Sequence, residues 1–237
     1  MINPDQSPAA VPDLEWRDET IPVSRQFDDP YFSLAGGLEE TRHVFLSGNG
    51  LPERFCDGFR IAELGFGTGL NLLAVLLAHR GPGHLHYTSF EAYPMPAGDI
   101  ARALTAFPEV ASVAEPFLRQ WAAGATVLEF PHLTATVILG DARETLARWD
   151  GQGDAWFLDG FSPAKNPELW SAGLMAEVAR HTAPGGTFAT YTAAGHVRRA
   201  LAEAGFVVTR RPGFGRKRHM SVGVLQPSAT ASSMSPG

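Results

Sequence analysis

Arg60-Ile-Ala-Glu-Leu-Gly-Phe-Gly-Thr-Gly-Leu-Asn-Leu-Leu-Ala-Val-Leu-Leu-Ala-His79 passes from a short apolar run, through alternating glycines, into a longer apolar run. Arg60–Gly65 reads as a buried strand and Leu70–His79 as a helix packed against a sheet. Gly65, Gly67 and Gly69 let the backbone turn sharply and approach a ligand closely. The spacing is G-x-G-x-G, not the G-x-G-x-x-G of a dinucleotide loop, and Glu63 stands in the strand before it. An acid there repels phosphate and attracts a cationic or amine-bearing ligand.

Strand and helix patterns alternate outward from this unit. Leu85–Glu91, Thr134–Leu139, Ala155–Leu158 and Thr187–Tyr191 read as further strands. Pro96–Phe107, Ala142–Trp149, Glu168–His181 and Ala194–Ala204 read as the helices between them, with Pro184-Gly-Gly186 stopping the third. Phe206–Arg210 and Met220–Leu225 are joined by a link too short for a crossover, so they form an antiparallel hairpin. The expected architecture is α/β: a Rossmann-like, doubly wound, mostly parallel sheet with an antiparallel last strand. Residues 14–58 read as an N-terminal cap. Residues 108–133 read as a small insertion with a helix, Val113–Ala123, and an extra strand, Thr126–Phe130. The polar residues 1–13 and the tail 226–237 read as disordered or flexible ends of a domain spanning 14–225.

Three acids fall at successive strand ends: Glu63, Glu91 and Asp141. A carboxylate at Glu91 can accept both hydroxyls of a ribose, and Asp141 can reach an adenine amino group. Together they suit S-adenosylmethionine, which has a ribose, an adenine and a charged amino-acid end but no phosphate. Asp141 also precedes a helix, where an aspartate serves equally as a cap.

The second informative stretch is Asp159-Gly-Phe-Ser-Pro-Ala-Lys-Asn-Pro167, directly after the apolar Ala155-Trp-Phe-Leu158. Ligands of open α/β sheets bind beyond the carboxyl ends of the strands. Asp159 is placed to accept a hydrogen bond or a proton from an amine. Gly160 and Phe161 offer backbone carbonyls, and Phe161 a ring on which a base can stack. Pro163 and Pro167 stiffen the loop, Asn166 can tie its turns, and Lys165 can meet a phosphate. Trp170 reads as core packing.

The formal net charge of −6 over 237 residues argues against a general nucleic-acid coat protein. A local cluster inverts that balance: Arg198, Arg199, Arg210, Arg211, Arg216, Lys217 and Arg218, with Phe214 and His219 among them. Such a surface can track phosphates while an extruded base enters a pocket. Cys56 is the only cysteine, so no intramolecular disulfide can form, and it reads as a small half-buried residue. No secretory leader pattern, membrane span or metal site is read, and a cytoplasmic location is expected.

The glycine loop Glu63–Asn71, Phe90-Glu91, Asp154–Pro167, Gly186–Thr190 and Gly213-Phe-Gly-Arg-Lys-Arg218 resemble the methyltransferase domain of the MnmC family, whose free-standing form is called MnmD. Phe27-Asp-Asp-Pro-Tyr-Phe-Ser33 and Gly37–Arg42 share the resemblance, which covers about residues 14–225. It implies methyl transfer from S-adenosylmethionine to the aminomethyl nitrogen of 5-aminomethyl-2-thiouridine at the tRNA wobble position. Carried over by position, Gly65, Gly67 and Gly69 of the glycine loop and the ribose acid Glu91 would bind the cofactor, with Glu63, Phe66, Thr68, Asn71 and Asp141 expected beside them. Asp159 would act on the amine. Gly160, Phe161, Pro163, Lys165, Asn166, Arg216, Lys217 and Arg218 would bind substrate. The FAD-dependent oxidase half of the bifunctional proteins has no counterpart in these residues, so a separate oxidase acting on the same nucleoside is a candidate partner. Ala92 and His219 depart from residues common in the family. The residues alone also allow a small-amine or protein methyltransferase, or a non-catalytic RNA-binding subunit.

Overall fold

The computed structural model describes residues 11–33 and 36–227. Most of the expected disordered N-terminus (1–10) and most of the tail (228–237) lie outside the described residues. No helix among the described residues is long and apolar enough to cross a membrane.

The N-terminal segment forms a small antiparallel sheet of its own: β1 (Leu14–Arg17), β2 (Ile21–Ser24) and β3 (Asp29–Pro30). A short helix α1 (Gly37–Thr41) follows and continues through tighter and wider turns to Asn49. The central sheet then begins with β4 (Arg60–Leu64), α2 (Leu70–Ala78) and β5 (Leu85–Glu91). After α3 (Ala97–Leu104) and α4 (Ala111–Ala122) come β6 (Val127–Phe130) and β7 (Leu133–Leu139). The remainder is α5 (Ala142–Arg148), β8 (Gly153–Leu158), α6 (Ala172–Arg180), β9 (Thr182–Thr190), α7 (Gly195–Glu203), β10 (Phe206–Pro212) and β11 (His219–Leu225).

The eight strands lie in the order β10-β11-β9-β8-β4-β5-β7-β6. β7, β5, β4, β8 and β9 are parallel. β11 lies antiparallel between β9 and β10, as the short hairpin link required. The insertion strand β6 adds a second antiparallel pairing at the opposite edge. Apolar residues fill both faces of the sheet. One core joins Leu72, Leu73, Phe117 and Phe157 under α2 and α4. The other joins Trp156, Met175, Val178 and Leu201 under α6 and α7.

The direction of winding reverses between β4 and β8, and adjacent loops part at such a switch point to leave a crevice. Backbone bonds tie the end of β4 to β8 on one side and to β5 on the other. Asp159 N–H donates to the Leu64 carbonyl at 3.1 Å, and Gly65 N–H donates to the Phe90 carbonyl at 3.0 Å.

Three local expectations are corrected. The helix expected over Glu168–His181 is split into a 3-10 turn, Pro167–Trp170, and α6. Ser171 is extended between them and caps α6 by accepting the Leu174 N–H, so its hydroxyl starts a new helix. Pro184-Gly-Gly186 does not terminate that helix; it lies inside β9, where the pairing with β8 slips between Gly153 and Ala155. Gly185, at φ 74°, allows the irregularity. Cys56 is exposed rather than half-buried, because its loop runs over the surface before β4.

Candidate active site

A cavity of about 1010 Å³ opens at the switch point. The glycine loop, the end of β5, the loop after β8, the β10–β11 turn and the N-terminal segment all line it. The apolar run of β4 delivers Gly65 beside Asp159, and no side chain fits between them. Gly65 has φ 87°, and a Cβ there would lie 2.6 Å from the Asp159 carbonyl oxygen. Gly67, at φ 53°, carries the chain under the ring of Tyr31, 3.2 Å from where a Cβ would stand. Phe66 turns its ring into the core against Trp121 and Phe117.

Glu91 ends β5 and is buried. Its Oε2 accepts the Gly67 N–H at 2.9 Å and its Oε1 the Tyr93 N–H at 2.7 Å. Burial raises its pKa against those bonds. Each oxygen keeps a lone pair, so the carboxylate still has room for two hydroxyl donors.

Glu63 does not line the cavity, contrary to the expectation that it faces a cofactor. The side chains of an extended strand alternate in direction, and that of Glu63 is sealed beneath the floor. Its Oε1 accepts from Asn71 Nδ2 at 2.7 Å, and its Oε2 from the Ser89 hydroxyl at 2.7 Å. Burial pushes its carboxyl up to about 8. The same Asn71 amide donates to Asp159 Oδ2 at 2.8 Å, while Thr41 Oγ1 donates to Asn71 Oδ1 at 2.9 Å. Asn71 therefore bridges two carboxylates, and the Thr41 bond fixes which end of its amide faces them.

Asp159 sits on the cavity floor with Oδ1 accepting the Gly160 N–H at 2.9 Å. Loss of solvation pushes its carboxyl up to about 7, offset in part by Asn71, Gly160 and the nearby Lys217 charge. A carboxyl near neutrality can hold or release a proton at working pH.

The loop after Asp159 is held from every side. The Gly160 carbonyl accepts the Tyr191 hydroxyl at 2.7 Å, and the Phe161 carbonyl accepts Trp170 Nε1 at 2.8 Å. These carbonyls were expected to receive the substrate; the fold takes one lone pair of each and leaves the other. Trp170 is buried as core packing and also clamps the loop. Ser162 N–H donates to Asp29 Oδ2 at 2.8 Å. Lys165 was expected to meet phosphate; instead Nζ lies 3.1 Å from Asp28 Oδ2 and 3.8 Å from Asp29 Oδ1. Phe161 stacks on Phe27 at 4.7 Å and meets Tyr31 edge-on at 5.0 Å. The Asn166 N–H is spent on the Ser162 carbonyl, within the loop.

Asp141 lines the cavity but is half-exposed and caps α5 through the Arg143 N–H. The Arg143 guanidinium, at 2.5 Å, holds its carboxyl below the usual range. Of the other expected residues, Gly65, Phe66, Gly67, Thr68, Asn71, Gly160, Phe161, Lys165, Asn166, Arg216 and Lys217 line the cavity. Gly69, Pro163 and Arg218 do not. Lys217, although still exposed on the basic turn, places Nζ 2.8 Å from Glu40 Oε1. Asp29, Tyr31, Glu40 and Tyr191 were not singled out by sequence. Three of them lie in stretches that carried the resemblance, so position was their signal.

The set fits S-adenosylmethionine. Acids and amides flank the glycine loop, Glu91 retains accepting lone pairs, and Gly65 and Gly67 line the cavity. Among the described residues, no group of His, Cys, Asp and Glu is placed to hold a metal ion.

Comparison with known proteins agrees with this geometry. Residues 108–226 match a family described as S-adenosyl-L-methionine-dependent methyltransferase. The chain is 49% identical over 218 residues to the "tRNA 5-methylaminomethyl-2-thiouridine biosynthesis bifunctional protein MnmC" of Pseudomonas fluorescens, covering 86% of this chain and 33% of that protein. It is 47% identical over 223 residues to the protein of the same name from Caulobacter vibrioides, covering 90% and 38%. The chain thus spans about a third of the length of these relatives. The crystal structure of MnmC2 from Aquifex aeolicus superposes with a TM-score of 0.75 at 25% identity, covering 95% of this chain and 74% of that one.

Proposed function

We propose that this chain, which belongs to the family of S-adenosyl-L-methionine-dependent methyltransferases, methylates the aminomethyl nitrogen of 5-aminomethyl-2-thiouridine at the tRNA wobble position. The observation that carries this reading is the placement of Asp159. It stands between the glycine loop and a rigid acceptor loop, in one cavity that runs from Glu91 to the basic β10–β11 turn.

S-adenosylmethionine, when bound, supplies an electrophilic methyl group on a sulfonium. Glu91 would hold the ribose hydroxyls, beside the cavity-lining loop Gly65–Thr68. Asp141, which is tied to Arg143, would meet the adenine amino group with its remaining accepting capacity. Asp159 takes a proton from the substrate ammonium and leaves the nitrogen with a free lone pair. A neutral nitrogen is required, and a carboxylate near pH 7 suits that exchange. Tyr191, Trp170 and Asp29 fix the loop that orients the nitrogen, and the Phe27–Tyr31–Phe161 cluster keeps water off the site. Arg216 and Arg218, both exposed on the turn, meet RNA phosphate. A separate FAD-dependent oxidase can supply the amine, and a cytoplasmic location matches a tRNA substrate.

The test is transfer of labelled methyl to tRNA from cells lacking the modification, followed by nucleoside analysis. Label in 5-methylaminomethyl-2-thiouridine is expected, and Asp159→Asn should lower turnover by about 10²- to 10⁴-fold while the cofactor still binds. Label only in protein or free amines would transfer the assignment to a small-amine or protein methyltransferase.

A further inference from the structure

A second charged pair lines the same cavity, and beyond the field it exerts on Asp159 it has no part in the steps above. Glu40, on α1, is 7% exposed. Lys217, on the β10–β11 turn, places Nζ 2.8 Å from Glu40 Oε1 and 4.1 Å from the centre of the Tyr191 ring. Tyr191 in turn donates its hydroxyl to Gly160, the residue after Asp159. A carboxylate and an aromatic face together form a receptor for an alkylammonium ion. The end of a lysine side chain and a protonated aminomethyl group are the same chemical group, a methylene bearing an ammonium. Lys217 thus presents to this corner of the cavity a copy of the proposed acceptor.

Lys217 also has a route out. Its side chain is 43% exposed, and exposed Arg216 and Arg218 flank it. Gly215, at φ 56°, has open space where a side chain would stand. Phosphate approaching the two arginines attracts the third cation as well.

We propose that Glu40 and the Tyr191 ring are the arrival seat for the acceptor's alkylammonium group, and that Lys217 fills this seat until RNA phosphate draws it away. The proposal rests on the reading that an RNA aminomethyl nitrogen is the acceptor. The incoming ammonium exchanges with Lys217 at Glu40 and then passes its proton to Asp159. Displacement makes an empty-handed enzyme self-occluded, so amines lacking an attached polyanion compete poorly for the seat.

The probe is butylammonium chloride, an alkylammonium with neither base nor phosphate, titrated calorimetrically into the full chain loaded with S-adenosylmethionine. Lys217→Met removes the internal competitor while keeping an apolar stem, and should bind butylammonium about fivefold more tightly than wild type, the scale of one half-exposed ion pair. Glu40→Gln should lose that binding and leave cofactor affinity unchanged. Lys217→Met should also raise KM for undermodified tRNA, an effect opposite in sign to its effect on butylammonium. Equal or undetectable butylammonium binding in all three proteins overturns the seat. A Glu40→Gln protein that binds cofactor weakly but butylammonium normally overturns it too, assigning Glu40 to the cofactor's amino end. If thermal melting shows Glu40→Gln unfolded, the Lys217→Met titration decides alone. If wild type fails to methylate undermodified tRNA, the functional reading falls, while the butylammonium series still decides the seat.

Discussion

Replacing Asn71 with alanine should raise the pH at which the enzyme becomes active. One amide group donates both bonds: to Glu63 Oε1 at 2.7 Å and to Asp159 Oδ2 at 2.8 Å. A hydrogen bond to a charged acceptor contributes about 1.5–3 kcal/mol. Each pKa unit corresponds to about 1.4 kcal/mol, so losing the bond to Asp159 raises its carboxyl by roughly one to two units. The starting value of about 7 already reflects burial opposed by this bond. The acid limb of kcat/KM for undermodified tRNA should therefore move from near 7 towards about 8–9. The substrate amine has the same ionisation in both proteins, so a difference between the two profiles belongs to the enzyme. Turnover should recover at high pH, where Asp159 ionises again. Acid limbs that superimpose would refute the reasoning, showing either that Asp159 ionisation does not limit turnover or that Asn71 does not sustain it.

Gly65→Ala sets a Cβ 2.6 Å from the Asp159 carbonyl at a left-handed φ, so β4 and β8 must part at their ends. Turnover should fall by at least about 10²-fold, as expected when catalytic groups are displaced by an ångström, and a normal kcat would deny the close approach. Glu63 in the folded chain binds its proton more tightly than in the unfolded chain, its carboxyl rising from the ordinary value to about 8. Its contribution to stability is present at low pH and lost as pH rises from about 4.5 through about 8. The melting temperature of Glu63→Gln should exceed that of wild type more at pH 9 than at pH 6, and parallel melting curves against pH would contradict this. Removing Arg216 and Arg218 together should reduce the slope of log K for tRNA against log salt by roughly 1.4–1.8, and an unchanged slope would exclude both as phosphate contacts.

Features that depend on neighbouring residues were legible in the sequence. The parallel strands, the antiparallel last pair, the glycine turn and the loop at Asp159 all lie where the apolar periods and breakers indicated. The failures are also local in origin. Glu168–His181 has helical composition throughout, yet a single extended serine restarts the helix at Ser171. Pro184-Gly-Gly186 carries a stop signal, yet a strand absorbs it through an irregular pairing.

At the candidate site the division is sharper. The sequence alone determined that carboxylates end several strands of a Rossmann-like sheet and that a stiff loop follows Asp159. A strand's period and a turn's glycines act over a few residues and leave a direct trace there. Only the tertiary structure decided what each charge faces. It sealed Glu63 under Asn71, spent Lys165 on Asp28 and Asp29, and set Lys217 of the basic turn against Glu40. Each of those partners except Asn71 is more than a hundred residues from its mate, brought close by strand order and by the N-terminal segment folding over the crevice. A charge reads the same in sequence whether it meets water, phosphate or another side chain; burial and proximity, which set its energy, exist only once the chain is packed.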